Sequence, residues 1–275
     1  MATAKAKGKT VAAKKATEVA VPSALKAKMA AVAGAGFEEA TRDAFAVPFI
    51  RILQDLSPQV KKKMVGYIEG AKPGQFFNTV SQEVSDTLRV VPCHYSQSFI
   101  EWTPRDEKEG QGLVAVHLPG DPIITRVARV KGKPLLPNGN LLMDTRSHFV
   151  LIIKDDGTTE GALIALSSTG IKVSRRWMSQ MKSTTIDRAD GSRIPAPMCA
   201  YSYALTSEEE ANEQGSWHQW VVSDRELVTE EHIFDAALAF AAQMKVSASR
   251  VNYSEAAPTA SHADTPGDLD NEINA

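Results

Sequence analysis

From Phe45 onward the chain alternates short apolar runs with turn residues, and the spacing is that of strands far more than of helices. The longest run is Leu88 to Trp102, LRVVPCHYSQSFIEW. It splits by parity into Leu88, Val90, Pro92 and His94 on one face and Arg89, Val91, Cys93 and Tyr95 on the other, then resumes after a polar interruption at Ser96 to Ser98 with Phe99, Ile100 and Trp102. A proline and a polar break in one long run predict a curled strand with a bulge near its middle. Ser147 to Lys154 reads as a buried strand, Asp155-Asp156-Gly157 as a hairpin turn, and Glu160 to Leu166 as the returning partner.

Shorter strands are expected at Met64 to Ile68, Phe76 to Val80 and Leu113 to His117, with turns at Ser57-Pro58 and Lys72-Pro73-Gly74. Between Pro119 and Met143 lies an excursion with no stable period. In it Val127 to Val130 and Leu135-Leu136 are placed to pair through Lys131-Gly132-Lys133. Met198 to Leu205 and Trp217 to Val222 form a last antiparallel pair, joined by an acidic loop from Ser207 to Gly215.

Two segments carry helical spacing instead. Ile171 to Lys182 sets Ile171, Arg175, Met178 and Lys182 on one side and Val173, Trp177, Gln180 and Met181 on another. The second runs from about Glu226 or Thr229 to Lys245 and shows Ile233, Phe234, Ala237, Leu238, Ala241 and Met244 at helical intervals. Ser223 with Glu226 resembles a capping box for it.

The order strand, short strand, hairpin, helix, hairpin predicts a mainly β chain with helices, a β-barrel of the OB-fold kind. Its helix between strands 3 and 4 is the 171–182 segment, with Ile171, Val173, Trp177 and Met181 plugging the open end, and a C-terminal helix packs outside. A β-sandwich with a peripheral helix is the alternative. Domain bounds follow: a disordered basic arm at 1–40, the barrel with N-terminal additions at 45–225, the helix at 226–246, and a disordered acidic tail at 247–275.

Charge adds an asymmetry that the net value of -2 conceals. Over residues 1 to about 36, Lys5, Lys7, Lys9, Lys14, Lys15, Lys26 and Lys28 face only Glu18, and Ser23 is a candidate cap for a transient helix over Pro22 to Val32. The tail carries Asp264, Asp268, Asp270 and Glu272 around Leu269 and Ile273. No apolar run approaches the roughly 20 residues that cross a bilayer, and no apolar stretch follows the N-terminal lysines as in a secretory signal. Cys93 and Cys199 stand apart without ligand or redox spacing, so both read as buried thiols of an intracellular, cytoplasmic protein.

Catalytic patterns are absent from the sequence. It holds no phosphate-binding GxxxxGK[ST], no GxGxxG after a strand and no HExxH, and its six histidines fall singly. Asp155-Asp156 reads as a turn rather than a metal ligand pair, Ser167-Ser168 lacks the glycines of a nucleophile elbow, and Cys93 and His94 point to opposite faces. The expectation is a protein that is no enzyme and takes no cofactor and no metal.

Binding of single-stranded DNA is the reading that the remaining residues favour: cations along a phosphate path with aromatics on which bases stack. The aromatic candidates are Tyr95, Trp102, Tyr201, Tyr203 and Trp217. The cationic ones are Arg105, Arg126, Arg129, Lys131, Lys133, Lys172, Arg175 and Arg176. Tyr201, Tyr203 and Trp102 fit core packing equally well, Phe99, Phe149 and Trp177 fit it better, and the basic helix positions fit a solvated face. The strings VPFIRILQDLSPQV, KPGQFFNTVSQEV, FIEWTPRDE and ALIALSSTGIKVSRRWMSQM together resemble a group of tailed-bacteriophage proteins that bind single-stranded DNA or act in recombination. The resemblance covers about residues 45 to 225. It implies action in phage DNA replication or recombination inside the host cell. On electrostatic grounds, apart from the resemblance, the tethered acids Asp264, Asp268, Asp270 and Glu272 of the tail are expected to compete for the basic groove or recruit replication proteins. No membrane partner is expected, and self-association stays open. A strand-annealing recombinase and a virion or scaffold protein are the alternatives.

Overall fold

The computed structural model describes residues 22–33, 35, 36, 38, 46–104, 112–213, 215–247 and 251–256. The chain divides into two units, 1–45 and 46–275. In the first, helix α1 (Ser23–Ala31) buries none of its side chains, and its N-cap is Pro22 without a side-chain cap, so Ser23 is the first helical residue rather than the cap.

The second unit is mainly β. Three short strands, β1 (Ile50–Ile52), β2 (Phe76–Asn78) and β3 (Val84–Ser85), make one small antiparallel sheet. Met64 to Ile68, expected as a strand, is a series of turns. Its Met64 and Val65 are exposed, so this segment has no apolar face to bury, and burial of one face is what fixes a strand.

The large sheet is built on β4 (Leu88–Trp102) and β8 (Leu141–Ile153), paired along nearly their whole length. β4 bulges between Pro92 and His94, where proline interrupts the ladder as its position predicts. β5 (Leu113–His117) pairs with the C-terminal end of β4, from Phe99 to Trp102. The excursion forms the hairpin β6 (Ala128–Val130) and β7 (Lys133–Leu135), joined to β8 at Leu135–Leu141. β9 (Thr159–Ser167) returns along β8 after the turn at Gly157, whose φ of +80° is one that a side chain resists. Helix α2 (Gly170–Lys182) and a two-stranded ribbon, β10 (Thr185–Asp187) with β11 (Arg193–Pro195), follow.

The last pair is longer than the sequence implies. β12 (Tyr201–Asn212) and β13 (Gly215–Leu227) take in both the expected acidic loop and the expected capping box. Glu208, Glu209 and Glu210 stand opposite Gln219, His218 and Trp217, so no two acids face each other across the ladder. Near Ser223, a register shift with Asp224 at φ +44° lets β13 continue past the position where Ser223 and Glu226 looked like a cap. Helix α3 (Glu231–Ser247) starts later, with the Glu230 carbonyl accepting from the amides of Ile233 and Phe234.

The strand order is β13-β12-β4-β8-β7-β6, with β5 on β4 and β9 on β8. The sheet does not close, and the expected barrel is corrected to an open sheet. The edge of β9 meets Phe49 through a single parallel bridge to Leu163, with the Leu163 amide donating to the Pro48 carbonyl at 2.8 Å. The edge of β13 meets a side chain: Gln54 accepts from the His218 amide at 2.8 Å and donates to its carbonyl at 2.9 Å. The segment around β1 therefore stands where a closing ladder between β9 and β13 would run.

Two apolar layers hold the sheet. On the inner face Val90, Val150, Ile152, Ile164, Leu166, Tyr203 and Leu205 pack with Ile50, Ile52 and Phe76 and with Trp177 and Met181 of α2. Ser174 is buried beside them, while Val173 stays half-buried. On the outer face Ile100, Trp102, Phe149 and Leu163 pack with Met244, Phe240 and Tyr253, and Val91, Cys93 and Leu151 pack with Ile233 and Ala237 of α3. Burial pushes the Cys93 thiol up to about 12. Gly161 is required under α3, since a Cβ there would lie 2.7 Å from the Phe240 ring.

Candidate functional site

Beyond the bulge at Cys93 the inner face of the β4–β8 ladder changes character. The register pairs Tyr95 with His148, Gln97 with Arg146, Phe99 with Asp144 and Glu101 with Leu142. Alternation keeps all these side chains on one face. Tyr95, Gln97, Phe99, Arg146 and Asp144 are half-buried there, so the strip presents aromatic and amide edges to solvent over roughly 14 Å of strand.

The strip is pre-ordered. Arg146 donates to the Tyr95 hydroxyl at 2.9 Å and to Asp144 at 2.8 Å, and Gln97 donates to Asp144 at 3.1 Å. Burial pulls the Arg146 pKa down, but its bonds to Tyr95 and Asp144 outweigh that and hold it above the usual value. Tyr95 meets His148 edge-on at 5.2 Å, and His148 stacks on Trp177 at 4.8 Å and 19°. His148 bonds Ser174 of α2 at 2.8 Å. Its Nδ1 is buried without a partner, and burial followed by the nearby Arg146 charge pushes its pKa down to about 3. It is a neutral wedge that fixes the tyrosine from behind.

Cations bound the strip at both ends. Lys172, Arg175 and Arg176 are exposed on α2, which lies on the same face. Arg126, Arg129, Lys131 and Lys133 are exposed on the excursion and its hairpin, which continues the sheet past the start of β8. None of the seven forms an ion pair among the described residues.

The aromatic candidates from the sequence separate sharply. Tyr95 is on the strip. Trp102 is 1% exposed in the outer layer, and Tyr203 is 1% exposed against Trp177, so neither offers a stacking face. Tyr201 is half-buried and its ring lies under Arg225 at 4.7 Å. It does not share a free face with Tyr203, because Tyr203 is sealed beneath α2. Trp217 lies on the opposite face of β13 from Trp220, which stacks on Phe76 at 4.9 Å in the inner layer. Arg105, Asp264, Asp268, Asp270 and Glu272 lie outside the described residues. Phe99, Gln97 and Arg146 are the strip residues that sequence reasoning missed; for Gln97 and Phe99 the available signal was their parity with Tyr95, and for Arg146 it needed the β4–β8 register.

Among the described residues no group of His, Cys, Asp or Glu is placed to hold a metal ion, and no helix is long and apolar enough to cross a membrane. The molecule is a mainly β bacteriophage protein with an open sheet. The family model described as "Pam3 phage gp34-like protein" matches residues 13–249, and the chain belongs to that family. No curated protein and no solved structure matches it.

Proposed function

We propose that this phage protein binds single-stranded DNA without sequence preference, acting in phage DNA replication or recombination in the host cytoplasm and catalysing no reaction of its own. The observation that carries the reading is the half-exposed strip of Tyr95, Phe99 and Arg146 between two sets of exposed cations. A sequence-independent binder needs aromatic faces for bases and a flanking path of positive charge for phosphates. The strip supplies the first, and α2 with the β6–β7 hairpin supplies the second.

The strand pairings add support. With β4, β8, β9, β12 and β13 taken as five successive strands, the ladders β4–β8, β8–β9, β12–β13 and β4–β12 are four of the five that an OB-type barrel contains. Helix α2 falls between the third and fourth strands. In that correspondence the basic excursion that opens at Asp121 and closes at Asn140 belongs to the connection between strands one and two, one of the connections with which such barrels grip oligonucleotides. The acidic tail remains a proposed partner-binding or competing segment.

Photo-crosslinking of the full chain to a bromodeoxyuridine-substituted single strand, followed by peptide mapping, tests the placement. Crosslinks are expected on the peptide that contains Tyr95 and Phe99. Efficient crosslinks confined to other peptides would refute this site.

A further inference from the structure

One buried polar network has no part in the contacts above. Glu101, on β4 and 5% exposed, accepts hydrogen bonds from Asn140 at 2.6 Å and Asn138 at 3.1 Å. It also faces His117 Nε2 at 3.0 Å, and the other ring nitrogen of His117 lies 3.0 Å from Asp121. Asp121 in turn accepts from the Ile123 amide at 2.9 Å and caps the 3₁₀ turn Pro122–Arg126. His117 ends β5, Asp121 opens the excursion, and Asn138 and Asn140 close it. Both ends of the segment carrying Arg126, Arg129, Lys131 and Lys133 are thus tied to one carboxylate at the root of β4.

A neutral imidazole has one N–H and cannot donate to two carboxylates; an imidazolium donates to both. We propose that Glu101, His117 and Asp121 form a protonation-dependent clasp that positions the basic excursion beside the β4–β8 strip, closed when His117 is charged and loosened when it is neutral. The groups around His117 are consistent in sign. Glu101 and Asp121 flank the ring, Phe99 pairs with it across β4 and β5, Asn138 and Asn140 act through Glu101, and among the described residues the cation Arg126 acts on Asp121. Burial alone would lower the pKa of His117, but its bonds to the two carboxylates hold it above the ordinary histidine value. The clasp is therefore complete below the unfolded histidine pKa of about 6.5 and is lost as pH rises through the raised folded value. Glu101 and Asp121 are both held below their ordinary values, Glu101 by the Asn140, His117 and Asn138 bonds against its burial and Asp121 chiefly by the Ile123 amide. Their contribution is present above the unfolded carboxylate pKa of about 4 and fails only in stronger acid.

The consequence for DNA affinity rests on the proposed function; the clasp itself does not, and its test needs no DNA. Hydrogen exchange of the full chain, corrected for intrinsic rates, is compared at pH 6 and pH 8 for wild type, His117→Gln and Asp121→Asn. Asp121→Asn is exposed chemistry that keeps an acceptor for the Ile123 amide and removes only the charge. Amides from 122 to 136 are expected to exchange roughly tenfold faster in both variants at pH 6, the scale of losing one charged hydrogen bond. Wild type alone is expected to speed up between pH 6 and pH 8 in that segment. Unchanged exchange in both variants overturns the proposal, as does acceleration spread evenly through β4 and β8, or a pH response that survives in His117→Gln. If wild type binds no single strand while the exchange pattern holds, the clasp stands and the proposed function falls.

Discussion

Tyr95 and Trp102 show how little a residue type says before its neighbours are known. Both are aromatic and lie on one strand, yet the bulge at Cys93 and the two layers decide that Tyr95 faces solvent with Arg146 while Trp102 is sealed under the outer layer. Replacing Tyr95 by Ala should weaken single-strand binding roughly 5- to 100-fold, the cost of one lost stacking platform, and leave the melting temperature nearly unchanged. Trp102→Ala should cost about 3 to 5 kcal/mol of stability by cavity formation, read as a shift in denaturation midpoint. If Trp102→Ala lost affinity with full stability, the assignment of faces would be wrong. His148 provides a pH signature. Its folded pKa of about 3 lies below the ordinary 6.5, so the unfolded chain takes up a proton that the native one refuses, and stability falls as pH drops from about 6.5 toward 3. His148→Phe should flatten that part of the stability profile; urea midpoints at pH 7, 5 and 4 measure it. Parity and bulge were legible in the sequence, but which face is covered depends on α2, α3 and Tyr253, which come from far along the chain. That is why Phe99 reads as core and is half-exposed, while Trp102 fits either role and is buried.

At the scale of elements, local chemistry was informative wherever it was strong. Pro92 with the polar break, the Asp155-Asp156-Gly157 turn and the Lys131-Gly132 turn each set their strands as expected, because a fixed φ or a permissive glycine acts regardless of context. The acidic run Glu208 to Glu210 was read as a loop because charge disfavours strands on average. It pairs because neutral or histidine side chains stand opposite. Closure of the sheet was not legible, since it depends on where β1 lodges, and Gln54 occupying the β13 edge is a single contact between distant positions. Two elements make separable predictions. Tyr253 is 1% exposed, bonds Ser147 at 2.9 Å and packs edge-on against Phe49. Tyr253→Ala should therefore lower the melting temperature by about 10 °C, from a loss of about 3 to 5 kcal/mol, although it lies outside the expected C-terminal helix. Changing Arg126, Arg129, Lys131 and Lys133 together to Gln should leave the melting temperature alone and flatten the salt dependence of binding, by about 0.7 in slope for each phosphate contact removed.

The β4–β8 ladder is held apolar on both faces at one end, so that its other end can present a polar and aromatic strip. Helix α2, read from the sequence as the plug of the sheet with basic side chains on its outer side, is the inner lid of the core through Ile171, Trp177 and Met181, and its cations extend the strip only because of that placement. The central claim is that this strip grips single strands. Fluorescence anisotropy of a labelled oligothymidylate titrated with the full chain, run beside a duplex of equal length at two salt concentrations, measures it most directly. The account predicts salt-dependent binding to the single strand, weaker binding to the duplex, and a large loss when Tyr95 and Phe99 are both changed to Ala in a chain that melts normally. Equal affinity for single strand and duplex, or unchanged affinity in the folded double variant, would contradict it.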